Sequence, residues 1–269
     1  NLSNIKKLCR LGLEKNIDHK MKISIIQCDT VWMDPVANLR KINDWCDSST
    51  KDTDLWLLPE MFNTGYNLDP SKISVEWQEA TIATLQDFSL KYGGTFGGSI
   101  PMFRSGTWYN TFIFVNGNGL VAQYDKIQLF SLAGEDEFYS KGRQTVQVEI
   151  SNWKIRPLVC YDLRFASLNN GELVDVIIYS ANWPVQRISH WKSLLIARAI
   201  ENQCFVVGIN RVGQDQNGYL YPGNSMIVDF NGEVICEMND SESISNSVID
   251  KAEMLAFRSK LPFYKDRIV

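Results

Sequence analysis

Between Met21 and Tyr92 the chain alternates apolar strands with amphipathic helices, and this alternation limits the fold more than any single residue does. "KISIIQC" (22–28) reads as a strand. A helix follows over roughly 36–47, with Val36, Leu39, Ile42 and Cys46 at spacings that share one face. "DLWLLPE" (54–60) is apolar until it meets Pro59 and Glu60, as expected for a buried strand. Residues 76–92 read as a second helix, striped by Ile82, Leu85 and Phe88. The Gly-rich strand "GGTFGGSIP" (93–101) then allows another backbone to approach closely.

Hairpins take over further along. "WYNTFIFVNGNGLVAQYDK" is two strands joined at an Asn-Gly turn, and "TVQVEISNWKIRPLVC" is two more. "DVIIYSANW" is a strand, and 189–203 a helix with Trp191, Leu194, Leu195 and Ala199 inward. "CFVVGINRVG" and "NSMIVDFNGEVICEM" are late strands, the second folded at Asn231-Gly232. A last helix is expected over roughly 250–259, with an irregular tail after Pro262. Helix–strand alternation combined with hairpins predicts mixed sheets with helices packed outside, an α/β layered fold.

No linker-like stretch divides residues 21–269, which read as one domain; 269 residues can bury a sizeable core. Residues 1–20 lack the apolar run of a secretory signal, and "MKISIIQCD" begins like a natural amino terminus. Residues 1–20 are therefore expected to be a leader or appendage outside the fold, and a reducing cytoplasm is the expected location. A net charge of −4 offers no basic surface for nucleic acid or an anionic membrane. No apolar run approaches the roughly 18 residues of a membrane helix. The six cysteines are scattered without CxxC pairs, and there are only two histidines, His19 and His190. That pattern argues against a disulfide scaffold, a metal centre or a histidine-dependent triad. A hydrolase of this composition needs another base.

Three apolar strands run into a reactive residue: Glu60 in "LLPEMFNTGY", Lys126 in "QYDKIQLF" and Cys160 in "PLVCYDLRF". Taken singly, each has an ordinary reading: a solvated carboxylate, a surface ion pair, a packed thiol. Cys28, Cys46, Cys204 and Cys236 fit the last of these. Together the three make chemical sense. A thiol with an ordinary pKa near ~8.5 is mostly protonated in the cell. An ammonium favours its thiolate, and a carboxylate can take its proton.

In order and spacing, "LPEMFNTGY", "YDKIQLF" and "CYDLRF" resemble the nitrilase, or carbon–nitrogen hydrolase, superfamily. "SANWP" (180–184), "ARAIENQCFVVGINRVG" (197–213) and "GNSMIVDFNGEV" (223–234) extend the resemblance from Met21 almost to the end. It implies a four-layer α-β-β-α sandwich, assembled as a homodimer, with Cys160 in a strand-to-helix elbow. It also implies a second glutamate in "AGEDEFYSKG", matched to Glu135 with Glu137 as the fallback. Two departures stand out: Gln128 where the family often has histidine, and Ala166 in place of a proline.

The mechanism implied is hydrolysis of a small-molecule amide through a cysteine thioester, with no metal or organic cofactor. Glu60 serves as base, and Lys126 and the Tyr161 N–H as oxyanion donors. The motifs look most like the omega-amidase branch, which acts on 2-oxoglutaramate or 2-oxosuccinamate. Arg164, Arg187 and Lys192 are sequence neighbours able to hold a far carboxylate, and Tyr66, Tyr161 and Trp183 are candidate pocket walls. Arg164 as a structural ion-pair partner is the alternative for that residue. Alternatives for the whole are a nitrile, N-carbamoyl or deaminated glutathione substrate, or a non-catalytic scaffold of the same fold.

Overall fold

The structure is a computed structural model; it describes residues 19–49, 52–169 and 171–267. The expectation for residues 1–20 lies almost wholly outside them.

Two six-stranded sheets carry the chain. In the first, β1 (Lys20–Gln27), β2 (Leu55–Leu57) and β3 (Thr95–Arg104) run parallel, and β4 (Thr107–Asn116) and β5 (Gly119–Asp125) follow as antiparallel hairpins. In the second, β7 (Trp153–Val159), β8 (Val176–Ala181) and β9 (Phe205–Asn210) are the parallel set. They are flanked by antiparallel β6 (Val148–Ile150), β12 (Met226–Val228) and β13 (Val234–Glu237). A separate two-stranded ribbon joins β10 (Val212–Gln214) to β11 (Leu220–Pro222).

Alternation along each strand of the first sheet builds the layers. Ile23, Ile25, Leu55, Leu57, Phe112 and Phe114 join a core shared with Leu158, Ile177 and Val207 of the second sheet. Their neighbours Ile26, Trp56, Leu58 and Ile113 turn the other way. There they meet Leu39, Ile42 and Cys46 of α1 (Pro35–Ser48), and Leu85 and Phe88 of α2 (Glu76–Tyr92). Each such buried side chain contributes about 1.5–3 kcal/mol. On the far side, Trp191, Leu195 and Ala199 of α4 (Ile188–Asn202) cover the second sheet. The layers are α-β-β-α, as expected.

Local chemistry sets the boundaries. Asp34 caps α1 by accepting from the Ala37 N–H at 2.9 Å, with Pro35 in the first turn. In β3, a Cβ on Gly98 would lie 2.8 Å from Leu58 Cβ, so glycine lets the segment after β2 press onto the strand. The loop that carries Glu60 lies against this spot.

Several expectations need correction. Val36 is 70% exposed; the buried face of α1 is Leu39, Ile42 and Cys46. The strand expected over 204–213 breaks at Arg211, because β10 leaves the sheet to form the ribbon. The tail after Pro262 contains a 3-10 turn, Phe263–Asp266. β14 (Ser243–Asp250), unforeseen in the sequence, pairs antiparallel with β1 along its full length. In "SISNSVID" the serines lie opposite Ile23 and Ile25 of β1, so this edge strand adds only Ile249 to the shared core. α5 (Lys251–Lys260) follows directly.

Candidate active site

The carboxyl ends of β2 and β7 meet, a common place for ligands in α/β sheets. Ser180 Oγ of β8 donates to the Leu58 carbonyl at 3.0 Å and fastens the two sheets there. Glu60 follows two residues later, fully buried. Its Oε1 accepts from Lys126 Nζ and from Asn110 Nδ2, both at 2.8 Å. Its Oε2 accepts from the Asn182 backbone N–H at 2.9 Å.

Lys126 leaves the end of β5 and is also fully buried. It donates to Glu135 Oε1 at 3.0 Å and to Glu135 Oε2 at 2.8 Å. Glu135 opens the short helix α3 (Glu135–Phe138) and has no exposed surface, whereas Glu137 is exposed. Asn110 Nδ2 reaches Glu135 Oε1 at 3.0 Å, so one amide spans both carboxylates. The Phe130 N–H and the Tyr66 hydroxyl donate to Glu135 Oε2 at 2.7 and 3.3 Å. Burial alone would lower the lysine pKa; the Glu135 and Glu60 carboxylates outweigh it and hold the ammonium charged. Burial, then Glu135 and Glu60, push the Tyr66 hydroxyl well up, so it stays a neutral donor.

Cys160 stands where β7 ends, with φ at +45°, a left-handed backbone that a non-glycine residue adopts only when its surroundings enforce it. The expected strand-to-helix elbow is a five-residue 3-10 turn, Cys160–Arg164, too short to supply a helix dipole. The turn closes without the family proline: Phe165 N–H donates to the Asp162 carbonyl at 3.0 Å, and Leu168 N–H to that of Phe165 at 3.1 Å. The Cys160 thiol donates to the Asn182 carbonyl at 3.9 Å. Burial first and the Glu60 carboxylate second push its pKa well above the usual thiol value, and Lys126 offsets this only in part. The expectation that the ammonium favours a thiolate at rest is therefore corrected: the resting group is a thiol beside a carboxylate that can take its proton.

Cys160 opens into a cavity of about 210 Å³. All four residues expected to bind substrate, Tyr66, Tyr161, Trp183 and Arg164, line it, together with Arg187. The Arg164 guanidinium lies over the Trp183 ring at 4.8 Å and beside His190 Nδ1 at 3.4 Å; the Arg187 guanidinium lies over Phe130 at 5.5 Å. Lys192 is elsewhere, paired with Glu237 at 2.6 Å.

A profile of the carbon-nitrogen hydrolase family matches residues 22–258. The chain belongs to the carbon-nitrogen hydrolase family. This hydrolase is 37% identical to the omega-amidase YafV of Yersinia enterocolitica over 91% of its own length and 96% of that protein's. It is 33% identical to the 2-oxoglutaramate amidase of Bacillus subtilis, over 92% and 97% of the two chains. Its fold matches that of XC1258 from Xanthomonas campestris, a CN-hydrolase superfamily protein with an arsenic adduct in its active site. That match has a TM-score of 0.85 at 31% identity, over 93% of this chain and 98% of the other.

Sequence reasoning missed Asn110 and Asn182, the amides that hold Glu60, and the ribbon residues Asp215, Tyr219 and Tyr221 at the cavity. Asn110 did carry a signal, as a lone amide inside the apolar strand "WYNTFIF".

Proposed function

We propose that this chain is an omega-amidase: it hydrolyses the terminal amide of a small 2-oxo dicarboxylate monoamide, 2-oxoglutaramate or 2-oxosuccinamate, to acid and ammonia. One observation carries the chemistry: a thiol at the floor of a small cavity, backed by the buried Glu60–Lys126–Glu135 cluster.

Glu60 takes the thiol proton as Cys160 Sγ bonds to the amide carbonyl. The oxyanion is met by the Lys126 ammonium and the Tyr161 N–H. Collapse breaks the C–N bond, and Glu60 passes the proton to the departing ammonia. A water, deprotonated by Glu60, attacks the thioester, and the sulfur leaves with that proton. Glu135 holds Lys126 in place without touching the reacting atoms. Arg164 and Arg187, stacked over aromatic rings at the mouth, suit the far carboxylate, and Tyr66, Tyr161 and Trp183 enclose the carbon chain. The names of the relatives support the same substrate class. The enzyme acts as a homodimer in the cytoplasm in this reading, in keeping with the family resemblance; analytical ultracentrifugation tests the assembly.

Ammonia release across a panel containing both 2-oxo amides, a neutral primary amide, a nitrile and an N-carbamoyl amino acid tests the substrate. The 2-oxo amides should lead, and Arg164→Ala should raise KM for them about tenfold or more while sparing the neutral amide. A nitrile or carbamoyl substrate in the lead would overturn the assignment, as would turnover by Cys160→Ala.

A further inference from the structure

Asp162 is a fully buried carboxylate that the reaction does not use. It is not part of the cavity wall. Its Oδ2 accepts from the Val159 backbone N–H at 2.9 Å, immediately before Cys160. The same oxygen accepts from the Tyr124 hydroxyl at 2.8 Å, two residues before Lys126. Oδ1 accepts from the Gln128 backbone N–H at 2.8 Å, two residues after Lys126. The Tyr124 oxygen in turn accepts from the Ile127 N–H at 3.3 Å.

These bonds bracket both reacting groups. Lys126 is delivered by the first sheet and Cys160 by the second. Main-chain N–H groups are rigid donors, so a carboxylate that binds them on both segments fixes one relative to the other. Lys126 itself is held by Glu60 and Glu135, but among the described residues neither carboxylate hydrogen-bonds to the turn that carries the sulfur. Gln128, the departure from the family pattern, joins this network through its backbone, so the loss of a histidine side chain leaves the tie intact.

We infer that Asp162 is a positioning residue that sets the distance between the Cys160 sulfur and the Lys126 ammonium by tying both of their segments to one carboxylate. Only an ionised carboxylate can accept from all three donors here. An asparagine at this position presents N–H to at least one of them, so it orphans a backbone donor and releases one segment. The site stays chemically complete, but the oxyanion donor and the nucleophile fall out of register. A misplacement of this kind costs turnover rather than substrate affinity.

The inference rests on the proposed reaction at Cys160, and two readouts keep the two apart. Asp162→Asn should lose about a hundredfold in kcat with KM nearly unchanged. Tyr124→Phe, which removes the bond to Asp162 and the acceptor of the Ile127 N–H but keeps both backbone donors on the carboxylate, should lose less in the same direction. Independently of turnover, iodoacetamide should alkylate Cys160 several-fold more slowly in Asp162→Asn, read by peptide mass spectrometry. Unchanged kcat and unchanged alkylation in a folded Asp162→Asn, whatever its melting temperature, overturn the inference, and so does a loss confined to KM. If Asp162→Asn does not fold, Tyr124→Phe decides on the same two readouts. A wild-type protein that hydrolyses no amide defeats the proposed reaction, while the alkylation comparison still judges the tie.

Discussion

Replacing Lys126 by methionine keeps the length of the side chain and removes its charge, and the structure says how the protein should respond. The ammonium makes three contacts of 2.8 to 3.0 Å with two carboxylates, all out of solvent. Glu60 Oε1 and Glu135 Oε1 both accept from Lys126 Nζ and from the Asn110 amide at 2.8 and 3.0 Å, which keeps them within two hydrogen-bond lengths of each other, about 6 Å at most. At an effective dielectric of ~20, two unit charges at that separation repel by about 3 kcal/mol. Removing one partner of a buried ion pair generally costs about 3–5 kcal/mol, so the two routes agree. Lys126→Met should therefore lower unfolding free energy by about 3–5 kcal/mol in urea titrations, and kcat by about a hundredfold or more. The decisive variant is the double one. Glu135→Gln should destabilise the wild type, because it weakens the hold on Lys126. In the Lys126→Met background the same change should restore about 1–3 kcal/mol, because it removes one of two opposed charges. A double variant less stable than Lys126→Met would refute the reasoning, since it would mean the carboxylates do not repel when the ammonium is gone.

Three further outcomes follow from the same geometry. Glu60→Gln should cut ammonia release by about 10²–10⁴-fold, since the carboxylate proposed to take the thiol proton is lost. Tyr66→Phe gives up a long hydrogen bond to Glu135 and should cost less than about tenfold in kcat. Burial pushes Asp162 up to about 6 from an ordinary carboxylate value of 3.8, so its stabilising contribution is complete below about pH 4 and is lost as pH rises through 6. The stability difference between wild type and Asp162→Asn should accordingly shrink by about 3 kcal/mol between pH 4 and 7; a flat difference would contradict it.

Glu60, Lys126 and Cys160 were legible because each ends an apolar strand and stands in a motif of fixed order. Glu135 was separable from Glu137 only by burial, and burial belongs to the folded chain. The same limit explains the thiol. Sequence shows that a lysine exists, but not that desolvation and Glu60 outweigh its field. Asn182 and Asn110 escaped because their partners are 122 and 50 residues away along the chain. β14 escaped for a different reason: it pairs along all of β1 but sets serines opposite Ile23 and Ile25, so its pattern lacks the apolar run that marked the inner strands.

The layered architecture divides the chemistry between two halves of the polypeptide. The proposed base, Glu60, and cation, Lys126, arrive with the amino-terminal half, and the Cys160 sulfur with the other. Neither half alone holds the whole proposed site, however well its own strands have formed. During refolding, then, catalysis should lag behind the recovery of secondary structure and appear only when the halves close upon each other, which makes turnover a sensitive clock for that last event.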